Sequence, residues 1–117
     1  MLIVEDEEFI SSLMAHVLQR EGYNVLIASD YKSSIRIIDT SEPDMIISDV
    51  MLPCTGGLEI LEYVKSKEER KHIPFILVTG MDKDVLYGSH IKAEAILTKP
   101  FDVSQLLNIV NSNMKLI

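Results

Sequence analysis

DMIISDVMLPCTGG, residues 44–57, decides the fold. Met45, Ile46 and Ile47 form a short apolar run that reaches an acid, Asp49, within a few residues. Such a run is too short for a helix and shows no polar alternation. It therefore reads as a strand over Asp44–Ser48 that is covered on both faces, as in a parallel sheet. The residues from Asp49 to Gly57 hold Pro53, Gly56 and Gly57 and read as a loop. A helix follows over Leu58–Lys67, with Leu58, Ile60, Leu61 and Val64 on one side. A buried strand, a loop opening on an acid and an amphipathic helix together make one unit of an α/β fold.

The same unit recurs in both directions. LIV (Leu2–Val4) is a strand, followed by a helix over Glu7–Glu21 with Phe9, Ile10, Leu13, Met14, Val17 and Leu18 apolar. Gly22 stands where a helix stops. NVLIA (Asn24–Ala28) is the second strand, and Asp30 can cap a helix carrying Ile35, Ile37 and Ile38 that ends before Pro43. PFILVT (Pro74–Thr79) is the fourth strand and AILT (Ala95–Thr98) the fifth. The last helix runs from Asp102 to about Lys115, and Asp102 with Gln105 resembles a capping box. Between Gly80 and Glu94 the pattern is weakest, with only a short helix near Lys83–Ile91. Five β-α units in alternation predict a doubly wound α/β fold, a five-stranded parallel sheet with helices on both faces.

Composition bounds the function. The 117 residues suit one domain over 1–117, since domains commonly run roughly 100–150 residues. Hydrophobic residues at 47% and charged residues at 25% exclude a disordered chain. Eleven Lys and Arg against 18 Asp and Glu, net charge −7, disfavour direct contact with nucleic acid or an anionic membrane. No apolar run is long enough to span a bilayer. Acidic residues begin at Glu5, where a leader would be basic and then apolar. The single Cys54 excludes a disulfide framework and suits a reducing cytoplasm.

In open α/β sheets ligands bind beyond the carboxyl ends of the strands. The first strand delivers Glu5 and Asp6 there, the third Asp49, the fourth Thr79 and the fifth Lys99. Any one of these could be a solvated strand end; their joint arrival at one rim is harder to dismiss. Three clustered carboxylates repel, so at least one pKa must rise unless a cation intervenes. Carboxylate oxygens suit Mg²⁺, which also favours phosphate oxygens. Lys99 supplies a point charge for a phosphoryl oxygen and Thr79 a hydroxyl. The chemistry that fits is phosphoryl transfer to a carboxylate, with Asp49 as nucleophile between the acid pair and the lysine.

LIVEDE, DVMLPCTGG, ILVTG and LTKPF, in this order and spacing, resemble the receiver domain of two-component response regulators. The resemblance covers essentially the whole chain. It implies the flavodoxin-like strand order 2-1-3-4-5 and assigns Asp49 as phosphoacceptor, Asp6 as a direct Mg²⁺ ligand and Glu5 as a ligand through water. Met51 would offer its backbone carbonyl to the metal, Thr79 would be the switch hydroxyl and Lys99 the phosphate-binding lysine. Lys99-Pro100 matches a cis peptide bond, and Pro53 and Gly57 match the turn after the acceptor. The implied donor is a sensor histidine kinase or a histidine phosphotransfer protein. The acyl phosphate would then switch binding of an output partner. On this reading the chain is no enzyme with a free substrate. It catalyses only its own phosphorylation and dephosphorylation, and no effector domain accompanies it.

Some residues depart from that pattern. Ile96 replaces the usual aromatic three residues before Lys99, and the stretch from Thr79 to Lys99 is short. Both predict an atypical output face with the phosphorylation chemistry retained. Met51 and Met81 flank the site and either pack or cover it. His16, His72 and His90 lack metal-ligand spacing, Cys54 has no activating neighbour, and KSKEERKH (65–72) reads as a solvated face. Two other functions stay open: a pseudo-receiver that only binds a partner, and an enzyme of another class. The second fits poorly. A haloacid-dehalogenase-type site wants an acid at Met51, and a flavin phosphate would meet the acidic run at Glu5–Glu8.

Overall fold

The computed structural model describes residues 1–52, 56–80 and 92–114. Five strands, β1 (Leu2–Val4), β2 (Leu26–Ala28), β3 (Ile46–Asp49), β4 (Phe75–Thr79) and β5 (Ala95–Thr98), form one sheet in the order β2-β1-β3-β4-β5. Every pairing is parallel, with Val4 opposite Ser48, Asp49 opposite Val78, and Thr79 opposite Thr98. Four helices are described: α1 (Glu8–Arg20), α2 (Tyr31–Ser41), α3 (Gly57–Lys65) and α4 (Val103–Asn113). The expected helix near Lys83–Ile91 lies outside the described residues.

Alternation along each strand divides the core in two. Leu2, Val4, Ile46, Phe75, Leu77 and Ile96 pack with Ile38 of α2 and Ile60 and Val64 of α3. Ile3, Ile47, Ile76, Val78 and Leu97 face the other way, onto Met14 and Leu18 of α1 and Leu106 and Val110 of α4. The unbroken apolar runs of β1, β3 and β4 thus have one physical cause, a helical layer on each face. β2 departs from this. Leu26 and Ile27, on opposite faces, are 45% and 44% exposed, because a three-residue strand at the sheet edge has a neighbouring strand on one flank only.

Local signals end the helices where the sequence places them. Gly22 takes φ +95°, with its N–H on the Gln19 carbonyl and the Tyr23 N–H on the Leu18 carbonyl, a Schellman motif. Asp30 accepts from the Ser33 N–H at 2.8 Å, and the Asp102–Gln105 capping box is closed in both directions. The third helix ends at Lys65 rather than Lys67, and β3 reaches Asp49, which stands inside the strand rather than in the loop.

The 65–72 stretch is not simply a solvated face. Lys65 is mostly buried and donates to the carbonyls of Lys71 and Ile73 at 2.9 Å and to Glu94 at 2.9 and 3.0 Å. Arg70 pairs with Asp39 at 2.8 Å over the Tyr63 ring. Lys65 ties α3 to the segment entering β4, and Arg70 ties the turn after α3 to α2, jobs that the charge pattern alone does not reveal. His16 is exposed on α1.

Candidate functional site

Strand ends converge as the sequence predicts. Glu5 follows β1, Asp49 ends β3, Thr79 ends β4 and Lys99 follows β5, all at the carboxyl edge of the sheet. One oxygen each from Glu5, Asp6 and Asp49 lies within 4.8 Å of the others. Lys99 Nζ is 2.8 Å from Asp49 Oδ2 and 3.6 Å from Glu5 Oε2. Asp49 and Glu5 are buried, 7% and 4% exposed, whereas Asp6 is open to solvent. Thr79 is buried, and its carbonyl accepts from the Lys99 N–H at 2.7 Å, which ties the two strand ends together. The Lys99–Pro100 peptide is cis.

The electrostatics carry the expected conflict. Burial, foremost, pushes the Glu5 carboxyl up to about 7, and its hydrogen bond with Asp49 and the charge of Asp49 push the same way. The nearby Lys99 charge pulls it down without offsetting these. Burial also works against the Lys99 ammonium. The hydrogen bond and charge of Asp49, with Glu5 behind it, outweigh burial and hold the Lys99 pKa above its ordinary value. Near neutral pH the pocket therefore holds a firmly charged lysine and a carboxyl that is part protonated.

Backbone around Asp49 is held as firmly as the side chains. The Met51 N–H donates to Asp49 Oδ1 at 3.1 Å. The Met51 side chain neither packs in the core nor fills a gap, being 71% exposed at the rim. The Ser48 hydroxyl donates to the Asp49 carbonyl at 3.0 Å, and the Gly57 N–H donates to the Val50 carbonyl at 2.9 Å. A side chain at Gly57 would run into the Asp49 carbonyl oxygen, so only glycine lets α3 begin here. Sequence reading had Gly57 in the turn but missed Ser48 and the Met51 N–H. The one available signal was a hydroxyl in an otherwise apolar strand. Pro53, Cys54 and Met81 lie outside the described residues.

Residues 1–111 match the response regulator receiver domain family. The chain belongs to that family. It is 34% identical to the alkaline phosphatase synthesis transcriptional regulatory protein PhoP of Bacillus subtilis, over 99% of this chain and 47% of that protein. The chain thus spans about half the length of the curated relative it matches. Among solved structures, the chemotaxis response regulator CheY4 of Vibrio cholerae is 29% identical with a TM-score of 0.89, covering 97% of this chain and 96% of that one. The receiver domain of a signal transduction histidine kinase from Syntrophus aciditrophicus is 29% identical with a TM-score of 0.88, covering 96% and 86%. The domain is therefore a receiver of two-component signalling, a phosphoacceptor switch rather than a conventional enzyme, and its Glu5, Asp6 and Asp49 pocket is consistent with a phosphoacceptor site. No helix among the described residues is long and apolar enough to cross a membrane.

Proposed function

We propose that Asp49 takes a phosphoryl group from the phosphohistidine of a sensor histidine kinase or a histidine phosphotransfer protein. An Asp49 carboxylate oxygen bonds to phosphorus, the phosphorus–nitrogen bond breaks, and the imidazole leaves and takes up a proton. Lys99, 2.8 Å from Asp49, would bind a phosphoryl oxygen, and the Thr79 hydroxyl would donate to another. The observation that carries the reading is three carboxylates within 4.8 Å, two of them buried, against one lysine.

That donor set fits Mg²⁺, a hard cation that takes oxygen ligands. Asp6 and Asp49 would hold it directly, Glu5 through water, and Met51 by its backbone carbonyl. The Glu5 pKa, raised foremost by burial and further by Asp49, marks a carboxyl whose charged form a bound cation would favour. When bound, the ion neutralises the carboxylates and the incoming phosphoryl oxygens. With Asp6, Asp49, Thr79 and Lys99 all present, a receiver that only binds a partner is the weaker reading.

The donor's docking surface adjoins the pocket. An apolar groove of about 590 Å³ lies between α1 and α4, lined by Ile10, Leu13 and Val17, by Pro100 and Phe101, and by Leu106. Lys99 borders this groove as well as the carboxylates, so a helical protein seated in it brings a histidine to Asp49. A cytoplasmic setting belongs to the same reading, since it suits the proposed donor class and the single Cys54.

Intact mass after incubation with acetyl phosphate tests the reading. The protein gains one phosphoryl group, about 80 Da, with Mg²⁺ present. An equal adduct without Mg²⁺, or in Asp49→Ala, overturns it.

A further inference from the structure

We infer that Ser48 is a positioning residue for the acceptor loop. With Gly57, it locks the peptide that follows Asp49 and so aims the Met51 peptide at the pocket. The inference deepens the acceptor reading above and rests on it for its functional consequence.

The Asp49–Val50 peptide is trans, so its N–H and C=O point in opposite directions. The Val50 N–H donates to Val78 on β4 at 2.9 Å, which turns the Asp49 carbonyl away from β4. On that side the β1 ladder has already ended, its last register pair with β3 being Val4–Ser48. The carbonyl lies at the end of the ladder in a place closed to water, where a lost hydrogen bond is costly. The Ser48 hydroxyl, on a fully buried side chain, donates to it at 3.0 Å. The Gly57 Cα packs against the same oxygen with no room for a Cβ, and a Cβ there would also come to 2.8 Å from Ser48 Oγ. Both ends of one peptide plane are thereby fixed.

That plane controls what comes next. Rotating it would swing Val50 and Met51, and the Met51 N–H holds Asp49 Oδ1 at 3.1 Å. The Met51 carbonyl, the proposed fourth metal ligand, moves with them. Without its hydroxyl, position 48 still fills the core, but the plane has lost a restraint. The acceptor carboxylate and the carbonyl ligand are then aimed less sharply.

The test follows the Met51 amide resonance of wild type, Ser48→Ala and Gly57→Ala through a Mg²⁺ titration. In Ser48→Ala, the Met51 amide shifts and exchanges faster, while amides of α1 and β2 stay at wild-type positions. The Mg²⁺ concentration at half saturation rises about threefold to tenfold, the worth of one hydrogen bond. Gly57→Ala moves the same two readouts in the same direction; if it does not fold, Ser48→Ala decides alone. A wild-type Met51 amide and wild-type Mg²⁺ midpoint in Ser48→Ala overturn the inference. So does a general loss of stability with no local change at Met51. If wild type itself ignores Mg²⁺, the acceptor reading fails, and the Met51 amide still decides the role of Ser48.

Discussion

Two lysines stand at opposite edges of this sheet, one against the exposed Glu94 and one against the buried Asp49 and Glu5, and they do different things. At the amino edge Lys65 meets one carboxylate, Glu94, and two carbonyls, and Glu94 also accepts the Phe75 N–H at 2.7 Å. Charge and hydrogen bonds close there with nothing left over, and the result is a staple between α3, β4 and β5. At the carboxyl edge Lys99 meets Asp49 and Glu5, with Asp6 beside them. One cation faces three acids, and the Glu5 carboxyl is pushed up to about 7, foremost by burial and further by Asp49. The same residue types serve structure where they balance and chemistry where they do not.

Removing the acceptor breaks the comparison most severely. Asp49→Asn should take no phosphoryl group at all, while its metal-free form melts higher than wild type because one of the conflicting charges is gone. Mass and calorimetry check both; a lower melting temperature would mean that Asp49 is structural, like Glu94.

Proton linkage gives the next largest effect. The folded Glu5 pKa lies above its unfolded value of 4.5, so between 4.5 and about 7 the folded state binds more protons. Metal-free stability should therefore fall as pH rises through that window, by up to about 3 kcal/mol. Glu5→Gln should flatten the slope in urea titrations at pH 5 and 8. Magnesium, which needs the deprotonated carboxylate, should bind more tightly as pH rises towards 7.

Lys65→Met sharpens the contrast from the other edge. It strands Glu94 and two carbonyls and should cost about 2 kcal/mol of stability. Labelling of Asp49 by acetyl phosphate at a temperature where the variant is folded should be unchanged. Loss of labelling would show the two edges to be coupled. Smaller still is the effect of Leu13→Glu, on a residue 48% exposed in the α1–α4 groove. Transfer from a phosphohistidine protein should slow about tenfold, with acetyl phosphate labelling unaffected.

Much of this was legible in the chain because short-range chemistry fixes it. Unbroken apolar strands require a helix layer on each face, and a strand that ends in an acid exposes it at the carboxyl edge. That rule brings Glu5, Asp6, Asp49, Thr79 and Lys99 to one edge, where the strand ends put them. Gly22, Asp30 and the Asp102–Gln105 pair announce their helix ends by local hydrogen bonding alone. What stayed hidden depends on contacts between distant segments. Lys65 looks like any surface lysine until the Glu94 loop arrives 29 residues later. Ser48 looks like a break in an apolar strand until α3 presses Gly57 against the same carbonyl. Met51, an adaptable side chain suited to packing, is instead exposed, and its backbone N–H does the work. Ile96 is buried beside Leu77.

The most direct test of the central claim is to locate the modified atom. Acetyl phosphate labelling with Mg²⁺, followed by borohydride reduction, converts an aspartyl phosphate to homoserine, which peptide mass mapping places in the chain. The imbalance at the carboxyl edge predicts homoserine at position 49 alone, and none when Mg²⁺ is withheld. Homoserine at another acid, or unmodified Asp49 in a protein that has gained a phosphoryl group, would contradict it.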